Sequence, residues 1–120
     1  MTPRCSLGRL ARAEDFRAIY REGARHTTAH LVVYARPTAT GTVRLGVVVG
    51  RRFGGAVVRN RLKRRLREAA RPLVRQVRGG TDIVLAPRAG APEVSFQALR
   101  DSVKAGLAGV KILPRETEGS

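Results

Sequence analysis

The chain has 120 residues, the length of one ordinary domain, and carries 24 Lys and Arg against 9 Asp and Glu, a formal net charge of +15. Because so large an imbalance repels itself within a compact fold, it indicates a polyanionic partner, nucleic acid first and an anionic membrane surface second. The one cysteine, Cys5, excludes an internal disulfide, and with only His26 and His30 beside it no four-ligand zinc site is available.

Membrane and export signals are missing from the sequence. No stretch approaches the roughly 18 consecutive apolar residues that a membrane helix needs, and the first residues contain no apolar run typical of a secretory signal. An Arg-rich start also occurs in organelle transit peptides, but Glu14 and Asp15 come too early for one. The single cysteine is typical of a reducing compartment, so we expect a cytoplasmic protein.

The first half of the chain predicts a helix followed by two strands. The helix spans Ala13–Glu22 and ends at Gly23, with Phe16, Ile19 and Tyr20 on one face. A first strand is predicted over Thr27–Arg36. Its alternation places His30, Val32, Tyr34 and Arg36 on one face, and Leu31, Val33 and Ala35 on the other. After a turn at 38–42, a second strand covers Val43–Val49 with an apolar face of Val43, Leu45, Val47 and Val49.

The second half predicts a long helix, a short strand and a last helix. The long helix covers Ala56–Ala70, and Pro72 is expected to end or kink it. After a turn at Gly79–Gly80, a third strand follows at Ile83–Ala86, and the 87–92 stretch is a loop. Ser95 is the predicted N-cap of the last helix, which runs from Phe96 to about Leu107. Its core stripe is Phe96, Leu99, Val103 and Leu107. We treat 1–120 as one domain whose ends, 1–8 and 114–120, are frayed.

The long helix is strongly basic. Residues 51–78 carry eleven Lys and Arg against one carboxylate, Glu68, which leaves +10 of the total charge. At 3.6 residues per turn, the apolar residues share one stripe: Val58, Leu62, Leu66, Ala69 and Leu73. The opposite face carries Asn60, Lys63, Arg64, Arg67, Arg71 and Arg75, and the flanks carry Arg59, Arg61 and Arg65. The pattern therefore predicts a helix with one buried side and one cationic side.

Three interpretations of this helix compete. A merely solvated helix normally mixes acids with bases, and this one does not. A membrane-surface helix is also basic and amphipathic, but the apolar stripe is narrow and lacks aromatic anchors. Nucleic-acid binding fits the sign and density of the charge best. A sequence-specific DNA binder is a weaker option, since no helix-turn-helix spacing is visible.

The local sequence is more specific than the charge. Arg59-Asn60-Arg61, preceded by Ala56-Val57-Val58, lies at the centre of the stretch from Arg44 to Glu68, which closely resembles the signature of the bacterial ribonuclease P protein subunit. Further positions in the right order match the family: Asp15-Phe16, Tyr34, Asp82-Ile83-Val84 and Ser95-Phe96. The resemblance thus covers nearly the whole chain.

This resemblance implies a fold and a mechanism. The fold is α+β, a two-layer α/β sandwich with a small, mainly antiparallel sheet and three helices. Crossovers between parallel strands are normally right-handed, but the resemblance implies a left-handed β-α-β crossover. It further implies that a catalytic RNA with bound Mg²⁺ removes the 5′ leader of precursor tRNA, while the protein, a monomer within the ribonucleoprotein, binds both RNAs and no cofactor of its own.

The resemblance also implies two sets of binding residues. The expected contacts with the catalytic RNA are Arg51, Arg52, Arg59, Asn60, Arg61, Lys63, Arg64, Arg65 and Arg67. The expected cleft for the precursor leader is formed by Phe16, Tyr20, Val32 and Tyr34.

No protein active site is evident in the sequence: there is no P-loop Lys-Ser/Thr, no nucleophile elbow and no carboxylate cluster of a metal nuclease. The alternative interpretation is a basic structural ribosomal or double-stranded-RNA-binding protein without a processing role.

Overall fold

The computed structural model describes residues 7–10, 12–39, 41–77 and 80–110. The predicted fraying of 114–120 and part of the turns at 38–42 and 79–80 lie outside these residues. Leu7 and Gly8, which we expected to be frayed, instead belong to a short strand. Hydrogen bonding to a neighbouring strand extends as far as Leu10, whose amide donates to the Leu45 carbonyl over 3.2 Å.

Five strands form one mixed sheet. They are β1 (Leu7–Arg9), β2 (Ala24–Thr27), β3 (Leu31–Pro37), β4 (Val43–Val47) and β5 (Thr81–Pro87). The spatial order is β1-β4-β5-β3-β2. β4 pairs in parallel with both β1 and β5, whereas β3 pairs antiparallel with β5 and β2; the β3–β5 ladder is the longest. The α+β class is confirmed, and β5 lies at the centre of the sheet.

Three helices cover the sheet unequally. They are α1 (Ala13–Glu22), α2 (Ala56–Val74) and α3 (Phe96–Gly109). The buried residues of α2 and α3 pack with the face of β3 that carries Leu31, Val33 and Ala35. On the opposite face, Ile19 of α1 packs with Leu10 and Val84. The expected two layers are thus the sheet with α2 and α3, and α1 adds a partial third layer.

The predicted strand Thr27–Arg36 corresponds to β3, which begins only at Leu31, and its first residue, Thr27, instead ends a separate strand, β2. Residues 28–30 form a turn, in which the Thr28 amide and hydroxyl both donate to the Leu31 carbonyl, at 2.8 and 3.0 Å. β2 was not predicted from the sequence. All four of its residues are exposed, so its sequence shows no alternation of apolar and polar residues. Within β3 the predicted faces are confirmed, since Leu31, Val33 and Ala35 are buried while Val32, Tyr34 and Arg36 are half-buried; His30 lies in the turn before the strand.

The ends of three other elements differ from expectation. α2 continues past Pro72 to Val74. Pro72 removes an amide donor from the last turn of α2, and packing of the buried Val74 and Val77 in the core offsets that cost. β4 ends at Val47, two residues early, although Val49 is still buried. β5 is longer than predicted and extends through Pro87 into what we expected to be a loop.

The start of α3 follows the predicted capping. The Ser95 hydroxyl accepts a hydrogen bond from the Ala98 amide over 3.1 Å, as an N-cap should. Leu99, Val103 and Leu107 are fully buried, as expected of a core stripe. Phe96 was wrongly placed in that stripe, since it is 37% exposed.

The β4-α2-β5 connection joins parallel neighbouring strands, as the crossover prediction assumed. The left-handed sense implied by the resemblance stays a prediction.

α2 is tied to the start of α3 by an arginine. Arg65 Nη2 donates to the Val94 carbonyl over 2.8 Å, and its Nη1 donates to the Pro92 carbonyl over 3.4 Å. Pro92 lies in a short 3₁₀ helix (Ala91–Glu93), and Val94 follows that helix just before α3. The position of Arg65 beside the apolar stripe predicted an effect on stability, but not these two hydrogen bonds.

We expect Arg65→Ala to lower the free energy of unfolding by about 1–2 kcal/mol, since two part-buried carbonyls lose a charged donor. Arg64→Ala is the matched control: Arg64 is exposed, and its loss is expected to change stability by less than about 0.5 kcal/mol. Chemical denaturation of the two variants measures the difference. Equal destabilisation would contradict the assignment of Arg65 to the fold.

Candidate nucleic-acid interface

The first candidate surface is the exposed side of α2, here called the cationic helix face. Asn60, Arg61, Arg64, Arg71 and Arg75 are exposed on it. The first turn of α2 contains no acidic residue, and its N-cap, Gly55, has no side chain to cap the free amides. The positive end of the helix dipole is therefore not neutralised locally, which adds to the attraction for phosphate.

The buried side of α2 is rotated from the predicted stripe. Leu62, Leu66 and Ala69 are buried as expected, but Val58 is 42% exposed. Ala70 and Val74 are buried in its place. Because Lys63 and Arg67 lie next to Ala70 and Val74 on the helix, they are half-buried rather than directly opposite the core. The prediction that these two residues lie in the middle of the cationic side was wrong.

Arg59 sits on the same flank. Its side chain is half-buried, and its Nε is shielded from solvent with no hydrogen-bond partner among the described residues. A donor that is buried without a partner carries a desolvation cost in the folded protein.

Arg51 and Arg52 precede α2 in a 3₁₀ turn (Arg51–Phe53) and are exposed. The Arg52 guanidinium lies 4.9 Å from the centre of the Phe53 ring, and its Nη2 donates to the Pro87 carbonyl over 3.4 Å. Arg52 is thus held in one direction at the end of the sheet, whereas no contact of Arg51 constrains its side chain among the residues described. All nine predicted RNA contacts lie on α2 or in the turn before it.

The second candidate surface is formed by the four predicted cleft residues, which the structure brings together; we call it the aromatic groove. The Tyr20 and Tyr34 rings meet edge to face with centres 4.8 Å apart, and Phe16 lies 6.5 Å from Tyr20. Tyr20 is 44% exposed, while Phe16, Val32 and Tyr34 are half-buried. Aromatic rings that pack against the protein on one side and are exposed to solvent on the other can stack with unpaired bases.

A glycine sets how closely α1 approaches the sheet. A Cβ atom at Gly46 would lie 2.8 Å from Phe16 Cε1, so any side chain on β4 at this position would displace the ring. Phe16 therefore belongs both to the packing of α1 and to the groove.

The polar groups of the groove include the phenol of Tyr20 and the guanidinium of Arg25. Burial, and to a lesser degree the neighbouring Tyr34, raise the pKa of Tyr20, so its phenol stays protonated at neutral pH. The Arg25 guanidinium lies 6.0 Å from the centre of the Tyr34 ring. Arg25 pairs with Tyr34 across β2 and β3, and sequence reasoning missed it because β2 itself was not predicted.

Arg44 is a second cation near the groove that the sequence analysis passed over. It makes two short hydrogen bonds to the buried Asp82 and a longer one to Asp15. The hydrogen bond to Asp82 is the main reason that the pKa of Arg44 lies above its ordinary value. Each nitrogen of the Arg44 guanidinium therefore donates to a carboxylate of the protein, while the side chain remains 29% exposed.

The described residues contain neither a group of metal ligands nor a membrane-spanning helix. In the ranges that the structure describes, no three His, Cys, Asp or Glu side chains lie close enough to hold a metal ion together. No helix within those ranges has the length and apolar character needed to cross a bilayer. His26 is exposed and His30 is half-buried.

Comparison with known proteins identifies the family. The family model for ribonuclease P matches residues 6–111. The ribonuclease P protein component of Chloroflexus aurantiacus is 42% identical over 112 residues, which cover 91% of this chain and 82% of the relative. That of Symbiobacterium thermophilum is 39% identical over 109 residues, covering 90% and 95% respectively.

Solved structures agree with the sequence relatives. The RNase P protein of Staphylococcus aureus superposes with a TM-score of 0.79 at 27% identity, covering 88% of this chain and 97% of that one. The protein from Thermotoga maritima gives a TM-score of 0.72 at 37% identity, covering 81% and 92%. The chain therefore belongs to the ribonuclease P protein family and is a protein subunit of this tRNA-processing endoribonuclease.

Proposed function

We propose that this subunit holds two RNAs on two separate surfaces: the catalytic RNA on the cationic helix face and the 5′ leader of precursor tRNA in the aromatic groove. The observation that carries the proposal is their separation. The buried side of α2 packs on one face of the sheet, and the groove lies on the other. Two different RNA segments have room to bind at the same time.

The two surfaces differ in chemistry in a way that suits this division. The cationic helix face offers guanidinium groups and free helix amides, which bind phosphates of a folded RNA whatever its sequence. The aromatic groove offers ring faces and Val32, with Arg25 at its edge, which suit the unpaired bases and backbone of a single strand. A basic ribosomal or double-stranded-RNA-binding protein without a processing role is not supported by the family assignment.

We place catalysis in the RNA subunit, where Mg²⁺ supplies the metal chemistry of phosphodiester hydrolysis. The protein is proposed to contribute phosphate neutralisation and alignment of the cleavage site, without a cofactor of its own. The carboxylate pairing seen here supports this division, because Asp15 and Asp82 are both bonded to Arg44 and are committed to the fold. We further propose that the subunit acts as a monomer in the ribonucleoprotein, in the cytoplasm.

Binding to the catalytic RNA is expected to weaken steeply with salt. Each phosphate contact releases about 0.7–0.9 of a counterion, so several contacts from α2 give a slope of log affinity against log salt steeper than about −2. Arg64→Ala should make the slope shallower by about 1, whereas Arg100→Ala, an exposed cation on α3, should leave it unchanged. Filter binding over a salt series measures both. A wild-type slope shallower than about −2 would exclude the cationic helix face as the main contact.

The groove is tested by comparing precursor with mature tRNA in the reconstituted holoenzyme. Tyr34→Ala or Tyr20→Ala is expected to weaken precursor binding about five-fold or more, because a base loses a ring worth roughly 1–3 kcal/mol. Mature tRNA, which has no leader, should bind as before. Tyr34→Phe keeps the ring and is the matched control, and a thermal melt of each variant checks the fold. Equal weakening of both tRNAs in a folded Tyr34→Ala protein would refute the groove.

A further inference from the structure

Arg44 connects three elements beneath one end of the aromatic groove. Its Nε donates to Asp82 Oδ1 over 2.7 Å and its Nη2 to Asp82 Oδ2 over 2.6 Å, a two-pronged pair with a carboxylate on β5. Its Nη1 donates to Asp15 Oδ2, on the first turn of α1, over 3.4 Å. The Asp82 side chain is completely buried, and those of Arg44 and Asp15 are 29% and 25% exposed.

The backbone places these groups in reach of one another. Arg44 and Asp82 are register partners on the parallel strands β4 and β5, so their side chains leave the sheet side by side. That side is the one covered by α1, whose first turn carries Asp15. The planar fork of an arginine can bond one carboxylate with two nitrogens and still offer the third nitrogen to another, which a lysine cannot do.

A second ion pair holds the far end of α1. Arg36 Nε on β3 lies 3.4 Å from Glu22 Oε2, and both side chains are partly exposed. Between the two ends, Ile19 is fully buried against Val84, and Phe16 fits over Gly46. Ile19 and Phe16 fix how near α1 lies to the sheet, whereas the ion pairs fix its direction along the sheet. The direction matters because Tyr20 extends from α1 and Tyr34 from β3.

We infer that Arg44 and its two carboxylates position α1 over the sheet, and that they thereby hold Tyr20 against Tyr34 in the geometry that receives the leader. Arg44, Asp15 and Asp82 are positioning residues that touch no RNA. The inference rests on the proposed function of the groove, but the geometric half of it can be tested without RNA.

Asp15→Ala is the variant of choice. It frees α1 from Arg44 while leaving the buried pair of Arg44 with Asp82 intact, so no buried charge is orphaned. Glu14→Ala is the matched control: it removes the same charge from the same turn, where Glu14 is 71% exposed and 3.9 Å from the exposed Arg12. A difference between the two variants therefore does not come from net charge.

In the reconstituted holoenzyme, Asp15→Ala is expected to reduce the preference for precursor over mature tRNA by about three- to five-fold, and Glu14→Ala by less than about 1.5-fold. Affinity for mature tRNA should be equal in the two. A purely structural effect of Asp15 would lower the melting temperature and weaken both tRNAs alike. If Asp15→Ala leaves the preference unchanged, or weakens both tRNAs equally, the inference is overturned.

The free protein gives an independent measurement. In a Tyr34→Phe background Tyr20 is the one tyrosine of the chain, and its ionisation can be followed by ultraviolet absorbance. Because burial is the main cause of the raised pKa of Tyr20, release of α1 should lower that pKa in Asp15→Ala but not in Glu14→Ala. Equal pKa values in the two variants would contradict the positioning role.

The two measurements separate the possible failures. If the wild-type holoenzyme shows no preference for the precursor, the proposed function of the groove is wrong, yet the Tyr20 titration still decides whether Asp15 positions α1. Should Asp15→Ala fail to fold, Asp15→Asn keeps an acceptor for Arg44 but loses the charge, and a smaller change in the same direction is expected. No change in either readout for Asp15→Asn would then overturn the inference.

Discussion

The central strand β5 is buried on both faces of the sheet, and the positions of all three helices depend on this burial. Thr81 to Leu85 are all buried, because α2 and α3 cover one face and α1 covers part of the other. Ile83 and Leu85 belong to the larger core, while Val84 packs against Ile19. Because separate apolar clusters occupy the two faces of this strand, the cationic helix face and the aromatic groove, which we propose bind RNA, lie on opposite sides of the sheet.

A protein with this charge must also separate the arginines that hold the fold from those that bind RNA. Arg44 is paired with Asp82 and Asp15, and Arg65 is bonded to the carbonyls of Pro92 and Val94. These two guanidinium groups are committed to internal contacts. Arg61 and Arg64 have exposed side chains on the outside of α2. A count of positive charge alone therefore overstates the binding surface.

Sequence patterns predicted the parts of the fold that have one buried face. The alternation of β3 and the apolar positions of α2 around Leu66 were predicted correctly, because burial on one side produces a periodic pattern of apolar residues. The capping of α3 by Ser95 was also predicted correctly. The sequence of β2 has no such periodic pattern, since all of its residues are exposed. Pro72 was expected to end or kink α2, but the helix continues to Val74 because Val74 and Val77, beyond the proline, are buried in the core.

The candidate site was predictable to a similar degree. The grouping of Tyr20 with Tyr34 came partly from the shared strand face of Val32 and Tyr34 and partly from family resemblance. The contact of Arg44 with Asp82 was not predictable, because it depends on the register of two strands that are 38 residues apart in the chain. The role of Arg65 depends in the same way on where a loop passes over α2.

We propose that the cationic helix face binds the catalytic RNA and that the aromatic groove binds the leader. The rate of precursor cleavage, measured as a function of protein concentration, distinguishes these two roles. Catalytic RNA, precursor tRNA and limiting Mg²⁺ are combined with increasing amounts of wild-type, Arg64→Ala or Tyr34→Ala protein. We expect excess Arg64→Ala protein to restore the wild-type rate at subsaturating substrate, since only assembly is weakened. Excess Tyr34→Ala protein should not restore it, because the assembled enzyme still binds the leader poorly. If excess protein restores the cleavage rate of both variants, or of neither, the two surfaces do not have separate roles in RNA binding.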